Sequence, residues 1–143
     1  MRPLRVLVVE DNPADIDLLQ ECLDLEGSQV NVDFVHDGFE AISYLHADRA
    51  SPPHLVILDL NLPGLSGCDV LGRIRGDAEL RQLPVVILTH SDAQSDILKT
   101  YALGANCYIT KPSTLEGFRR VVRQLEDFWF CLVKLPALSP SPR

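Results

Sequence analysis

The sequence has no closely spaced cysteine pair and no long apolar run, and each absence excludes a class of protein. The four cysteines are far apart and form no CxxC motif, which removes support for a zinc site or a thioredoxin-like redox centre. No stretch is long enough to span a bilayer. The apolar run Leu4–Val9 is too short for the h-region of a signal peptide. We therefore expect a cytoplasmic protein with reduced cysteines.

Basic residues are also scarce, with 13 Lys and Arg against 20 Asp and Glu, so that the formal net charge is −7. Affinity for nucleic acid depends on basic side chains that neutralise phosphates, and this balance argues against a nucleic-acid partner. The surplus of acid is compatible with bound cations or with a basic partner surface. The chain has 143 residues, of which 46% are hydrophobic, and this suffices for one globular domain.

What the sequence does contain is a strand–helix pattern repeated five times. Apolar runs predict strands at Leu4–Val9, Val30–Val35, Leu55–Leu58, Val85–Leu88 and Cys107–Ile109. Helix-capping signals follow them at Asn12 with Pro13, Asp37 with Gly38, Ser66 with Asp69, Ser91 with Gln94, and Ser113 with Glu116. Alternating strands and helices predict a parallel sheet covered on both faces. We expect a flavodoxin-like, doubly wound (βα)5 fold with strand order 2-1-3-4-5.

The last helical pattern continues past the point where it can cover the sheet. We expect a domain over residues 1–127, an aromatic extension of the last helix over 128–135 and a disordered, Pro- and Ser-rich tail over 136–143. The extension includes Phe128, Trp129 and Leu132, which would form an exposed apolar patch. A symmetric homodimer through the last helix and these aromatic residues is the simplest partner.

Polar residues end the predicted strands at one edge of the sheet. Glu10 and Asp11 follow the first strand, and Asp59 follows the third. These two strands flank the crevice in which doubly wound sheets bind ligands. Carboxylates that meet there repel each other, so either some of them are protonated or a cation holds them together, and oxygen ligands suit Mg²⁺. Thr89 ends the fourth strand and Lys111 follows the fifth strand at the same edge, and the set suffices for phosphoryl transfer to the Asp59 carboxylate.

From about Leu4 to Leu125 the chain closely resembles the CheY-like response-regulator receiver family, through VLVVEDNPAD, LVILDLNLPGLSG, VVILTHSD and GANCYITKP. The resemblance implies a phosphoryl acceptor, not an enzyme beyond its own phosphorylation and dephosphorylation. It also implies that Glu10 and Asp11 organise Mg²⁺, to which Asn61 offers a main-chain carbonyl. Asp59 is then the residue that accepts a phosphoryl group from a histidine kinase, and Lys111 and Thr89 are those that bind this group. The resemblance further implies that the Asn61 and Ser91 side chains modulate hydrolysis and that Thr89 and Tyr108 relay the switch.

A narrower resemblance concerns the kinase partner. The segments EDNPADIDLLQE, LTHSDAQSDI and EDFWFCLVKLP are similar to those of single-domain regulators that partner phytochrome-type histidine kinases. This resemblance implies a stand-alone regulator that signals through protein contacts, with a bacteriophytochrome as the kinase.

One position departs from the family pattern. The residue after the switch threonine is usually small in this family, and here it is His90. One interpretation is a solvated loop histidine. The other is a bulky side chain that restricts access to Asp59 and alters the lifetime of the phosphoryl group.

Three other functions fit parts of the pattern. A haloacid-dehalogenase-type phosphatase also phosphorylates an aspartate, but it needs a second Asp where this chain has Asn61 and a nucleophile on its first strand. A flavodoxin-like flavin site lacks a phosphate-binding loop here, since Glu10 and Asp11 would repel the phosphate. A receiver that docks without phosphorylation remains a third alternative, against which the intact acceptor, acid pair and lysine argue.

Overall fold

The chain folds into a parallel sheet with helices on both faces. The computed structural model describes residues 4–23, 30–47 and 52–138. The strands are β1 (Leu4–Val9), β2 (Val30–Val35), β3 (Leu55–Leu58), β4 (Val85–Thr89) and β5 (Cys107–Thr110). The helices are α1 (Pro13–Leu23), α2 (Gly38–His46), α3 (Gly67–Gly76), α4 (Gln94–Ala102) and α5 (Leu115–Leu125), and a π-helical segment, Glu126–Leu132, follows α5. The strand order is β2-β1-β3-β4-β5 with parallel pairing, which confirms the predicted fold.

The apolar runs become strands because both of their faces are buried. Successive residues of β1 point to opposite sides of the sheet, so Leu7 and Val9 join the core beneath α2 and α3. Val6 and Val8 join a second core beneath α1 and α5. All four residues of β3 and all five of β4 are buried. These central strands give the sheet edge above them a fixed geometry.

Three predicted helix caps are confirmed and two are wrong. Asp37 caps α2, because its carboxylate accepts the Glu40 N–H at 2.7 Å. Asn12 accepts a hydrogen bond from the Asp15 N–H at 3.1 Å, and Ser66 accepts one from Asp69 at 3.2 Å. Helix α5 is capped by Thr114 and not by Ser113, because the Thr114 hydroxyl accepts the Gly117 N–H at 3.0 Å.

The predicted cap of α4 is also different in the structure. Helix α4 begins after Ala93, which makes no side-chain capping bond. The Ser91 hydroxyl instead donates to the Asp96 carboxylate at 2.5 Å and accepts the Ala93 N–H at 3.3 Å. The Ser91 hydroxyl is therefore engaged by the Asp96 carboxylate and the Ala93 N–H. Such local side-chain bonds compete with helix capping, and Ser91 does not cap α4.

The C-terminal segment folds against the domain and leaves apolar side chains exposed. Trp129, Phe130 and Leu135 pack against the α1–α5 core, and Leu138 packs against the α2–α3 core. Phe128 is 50% exposed and Leu132 is 69% exposed. The end of the predicted tail, residues 139–143, lies outside the described residues. None of the described helices is long and apolar enough to cross a membrane.

Candidate functional site

The polar residues predicted at the strand ends come together at one edge of the sheet. Val9 of β1 is in register with Leu58 of β3, so Glu10 and Asp59 leave the sheet side by side. The pairing continues one residue beyond the strands, because the Asp59 N–H donates to the Val9 carbonyl at 3.1 Å. The Glu10 N–H donates to Val35 in the same way at 3.0 Å. Both carboxylates are therefore held by backbone on rigid strand ends.

Lys111 lies at the centre of the site. Its backbone N–H donates to the Thr89 carbonyl at 2.6 Å, which ties the end of β5 to the end of β4. Its side chain is fully buried. The ammonium donates to Glu10, to Asp59 Oδ2 at 2.9 Å and to Asp15 Oδ2 at 2.8 Å. All three ammonium protons thus meet carboxylates.

The ionisation of the buried groups follows from this arrangement. Burial raises the pKa of Glu10 to about 7. The negative charge of Asp59 acts in the same direction, and the hydrogen bond from Lys111, which acts to lower this pKa, does not outweigh them. Burial also acts to raise the pKa of Asp59, but the Lys111 charge and hydrogen bonds outweigh it and the pKa is lowered. Burial acts to lower the pKa of Lys111, yet its three carboxylate partners raise it above the ordinary value. Asp59 and Lys111 are therefore both charged at neutral pH.

Three of the carboxylates fit a divalent cation. Glu10, Asp11 and Asp59 each offer an oxygen, and these oxygens lie within 4.8 Å of one another. Glu10 and Asp59 are buried whereas Asp11 is exposed, so the cluster opens to solvent on one side. Asn61 is exposed beside it, and its N–H donates to Asp59 Oδ1 at 3.2 Å. Mg²⁺ and similar cations prefer hard oxygen donors on a site that is open to solvent, because they keep several water ligands.

Thr89 supplies an unused hydrogen-bonding group. It is fully buried, and its hydroxyl is the single buried side-chain polar atom without a hydrogen-bond partner in the part of the chain that the structure describes. The hydroxyl is near enough to Asp59 to contribute to lowering the pKa of that carboxyl, although no bond of good geometry forms. A buried hydroxyl without a partner costs free energy. An anionic group attached to Asp59 would give this hydroxyl an acceptor.

Ser91 and Tyr108 lie next to the site and contact each other. The Tyr108 hydroxyl donates to the Ser91 carbonyl at 2.8 Å, and its ring is partly buried against the α2–α3 core. The Ser91 side chain is directed to Asp96, as described above. The loop between β4 and α4 is thereby attached to β5 through one aromatic side chain.

The part that Asp15 takes in the site was not predicted from the sequence. An acidic residue in the first turn of α1 has a local explanation as a favourable charge at a helix N-terminus, but Asp15 is buried and bonded to Lys111. Its Oδ2 is also 3.1 Å from His90 Nε2. The side chain of His90 is 57% exposed, so it is accessible to solvent as one interpretation held, yet it has a partner in the site. The signal available in the sequence was the position of Asp15 in the first turn of the helix that follows β1, three residues after the cap Asn12 and five after Glu10.

Gly67 was also missed. It is the first residue of α3, and a Cβ added there would lie 2.2 Å from the Asp59 carbonyl oxygen. Its N–H donates to the Leu60 carbonyl at 3.0 Å. The absence of a side chain at this position lets the loop after β3 turn closely over the backbone of Asp59.

Comparisons with known proteins identify the family. Residues 6–123 match the response regulator receiver domain. Response regulator Rcp1 from Synechocystis is 37% identical over 139 residues, which are 94% of this chain and 95% of that protein. The phosphorylated cyanobacterial phytochrome response regulator RcpA superposes with a TM-score of 0.90 at 41% identity, covering 94% of this chain and 99% of that one.

A second solved structure is that of a relative with a bound metal ion. The Mn²⁺-bound form of Rcp1 superposes with a TM-score of 0.89 at 37% identity, covering 94% of this chain and all of that chain. Both relatives are matched over nearly their whole lengths, and both share the five-stranded architecture described above. With a family match over residues 6–123 and relatives of this similarity, the chain belongs to the response regulator receiver domain family.

Proposed function

We propose that the protein is a stand-alone response regulator that accepts a phosphoryl group on Asp59 from a histidine kinase and signals through protein contacts. The observation that carries the proposal is the ionised Asp59 carboxylate, which is held by Lys111 beside the unpartnered Thr89 hydroxyl. In the transfer, an Asp59 oxygen forms a bond to phosphorus while the bond between phosphorus and the kinase histidine nitrogen breaks. The electron pair returns to the histidine ring. We place the protein in the cytoplasm, because this is the compartment that supplies ATP to the kinase.

We propose that Mg²⁺ binds at Glu10, Asp11 and Asp59, with the Asn61 main-chain carbonyl as a further ligand. The convergence of three carboxylate oxygens supports this position. A bound divalent cation neutralises charge on the phosphoryl oxygens. Lys111 and Thr89 then bind two of these oxygens from the protein side, the first through its charge and the second through its hydroxyl. The Asn61 side chain modulates hydrolysis from its exposed position beside Asp59, and Ser91, whose hydroxyl bonds to Asp96 in this structure, does so from the β4–α4 loop.

The test of the acceptor uses acetyl phosphate, a small phosphoryl donor, with Mg²⁺. Intact mass should increase by one phosphoryl group in the wild type and not in Asp59→Asn. Asp69→Asn, which changes an exposed carboxylate on α3 in the same manner, is the matched control and should label normally. Undiminished labelling of Asp59→Asn would refute the assignment. A wild type that takes no label from acetyl phosphate or any kinase would favour docking without phosphorylation.

The kinase partner is proposed to be of the phytochrome type. The relatives named above include a phytochrome response regulator that matches 94% of this chain. Incubation with phytochrome-type and unrelated histidine kinases and radiolabelled ATP identifies the donor directly. Faster transfer from an unrelated kinase would contradict this part of the proposal.

We further propose that phosphorylation acts on the β4–α4 loop through Thr89 and Tyr108. Thr89 bonds the phosphoryl group, and its movement changes the space available to the Tyr108 ring, which is already attached to Ser91. Beryllofluoride, a phosphoryl mimic, should therefore change amide exchange around Tyr108 in the wild type. Thr89→Ala should abolish most of that change. An equal change in both proteins would exclude the relay.

The exposed apolar side chains at the end of the chain support a homodimer. Phe128 and Leu132 are exposed on the π-helical segment, and Leu115 is half-exposed at the start of α5. Leu98 and Tyr101 are exposed on α4, which contacts β5. We propose that a second copy covers the last helix and its aromatic extension in a symmetric contact.

A further inference from the structure

Asp15 gives Lys111 a partner that lies outside the metal cluster. Its Oδ2 is 2.8 Å from the Lys111 ammonium, and Asp15 is not one of the three carboxylates that converge on a cation position. The same Asp15 oxygen is 3.1 Å from His90 Nε2. A chain of contacts therefore runs from Asp59 through Lys111 and Asp15 to the exposed ring of His90.

The ammonium has three protons, and all three are engaged by carboxylates. Because it has no free proton, a phosphoryl oxygen on Asp59 gains a hydrogen bond from Lys111 only if a carboxylate gives one up. Phosphorylation also replaces the single charge of Asp59 with about two negative charges. Asp15 adds a further negative charge that disfavours this increase, since it lies against the same cation.

His90 acts on the same oxygen from the other side. A carboxylate only accepts hydrogen bonds, so the His90 ring donates from Nε2 in the tautomer that carries the proton there. A donor from His90 satisfies part of the acceptor capacity of Asp15 Oδ2. This weakens the attraction that Asp15 exerts on Lys111.

We propose that Asp15 is a positioning residue that competes with the phosphoryl group for Lys111 and so destabilises the phosphorylated state, and that His90 moderates this competition. The inference rests on the proposed function of Asp59. It assigns to Asp15 and His90 an effect on how strongly the site holds a phosphoryl group, separate from the binding of the metal.

The experiment measures the affinity of the full chain for beryllofluoride at Mg²⁺ concentrations that saturate each variant, by calorimetry or fluorine NMR. Asp15→Asn removes the charge and keeps the shape, and we expect it to bind beryllofluoride about tenfold more tightly. Asp17→Asn removes a charge from an exposed position of the same helix and should bind as the wild type does. A general loss of structure cannot produce tighter binding. Equal or weaker binding by Asp15→Asn overturns the proposal.

His90→Ala tests the second half of the inference, and its exposed position makes it compatible with folding. We expect it to bind beryllofluoride about threefold more weakly, because Asp15 then attracts Lys111 more strongly. In the Asp15→Asn background the same substitution should have no effect. An effect that persists in that background would mean that His90 acts through access to Asp59, and it would overturn the role assigned here.

The wild type labelled with acetyl phosphate separates the two proposals. If it takes no phosphoryl group from acetyl phosphate or from a histidine kinase, the proposed function fails and the inference fails with it. If it is labelled on Asp59 and Asp15→Asn gains no affinity for beryllofluoride, only the competition is refuted.

Discussion

Glu10 and Asp59 end neighbouring strands and accept hydrogen bonds from the same ammonium, yet their pKa values shift in opposite directions. Burial opposes ionisation of both. For Asp59 the charge and hydrogen bond of Lys111, with smaller contributions from Thr89 and the Asn61 N–H, outweigh burial. For Glu10 they do not, and the ionised Asp59 adds repulsion. The proposed acceptor Asp59 is therefore ionised near neutral pH, whereas Glu10, a proposed metal ligand, is only partly ionised until a cation binds.

The pKa of Glu10 predicts a pH dependence of stability in metal-free buffer. Its folded-state value of about 7 lies above the ordinary 4.5, so the folded protein binds more protons than the unfolded chain between these values. Stability should therefore fall as pH rises from about 4.5 to about 7, by roughly 2 kcal/mol, less than the full shift implies because neighbouring groups titrate together. Urea unfolding across this range measures it.

Glu10→Gln supplies the control for this dependence. The variant should lose most of the decrease, and Mg²⁺ should suppress it in the wild type because the cation stabilises the ionised carboxylate. The lowered pKa of Asp59 acts in a separate window, since its contribution is lost only as the pH falls below the ordinary value of 3.8. Identical pH profiles for the wild type and Glu10→Gln in chelator would contradict the assignment.

At the scale of elements, Arg75 joins α3 by hydrogen bonds to the loops that precede β4 and β5. The Arg75 guanidinium donates to the Gly104 carbonyl at 2.8 Å, to the Leu83 carbonyl at 2.6 Å and to Asn106 Oδ1 at 2.8 Å. Gly104 follows α4 at a positive φ of 104°, and a Cβ there would lie 2.9 Å from the arginine. The loops before β4 and β5 are therefore both held by α3, which also presents Gly67 to Asp59.

Arg75→Ala should be markedly destabilising. It leaves carbonyls of Leu83 and Gly104 without their donor in a half-buried position, and we expect a loss of about 2 kcal/mol in the free energy of unfolding. Arg73→Ala, an exposed change on the same helix, should cost no more than about 0.5 kcal/mol. Urea denaturation compares the two variants. Equal losses would mean that the hydrogen bonds of Arg75 contribute little.

At the scale of the whole molecule, the acidic site and the aromatic extension lie at different parts of the fold. The site is built from the carboxyl ends of β1, β3, β4 and β5. The extension follows α5, where the Phe128 and Trp129 rings meet edge to face with centroids 5.5 Å apart. Trp129 and Phe130 pack against the α1–α5 core, which leaves Phe128 and Leu132 as the side chains available to a second copy.

The proposed dimer is tested by light scattering over a range of concentrations. Phe128→Ala/Leu132→Ala should weaken association, since it removes two exposed apolar side chains without opening the core. Phe39→Ala changes an equally exposed ring on α2 and should associate as the wild type does. Trp129 fluorescence should shift to the red on dilution of the wild type. A monomer at every concentration, with unchanged Trp129 emission, would exclude this contact.

The sequence by itself determined the sheet, its order and most of the residues that meet at its carboxyl edge. Continuous apolar runs that end in Glu10, Asp59 and Thr89 are readable without coordinates, because strands buried on both faces leave a distinct pattern and their carboxyl ends must meet. Tertiary structure decided which side chains share the ammonium of Lys111. Asp15 had a complete local explanation as a helix-terminal charge, and its contact with Lys111 joins residues 96 positions apart. His90 likewise finds Asp15 across 75 positions. Such contacts depend on how α1 packs on the sheet. Local sequence patterns do not indicate which residues so far apart in the chain come into contact.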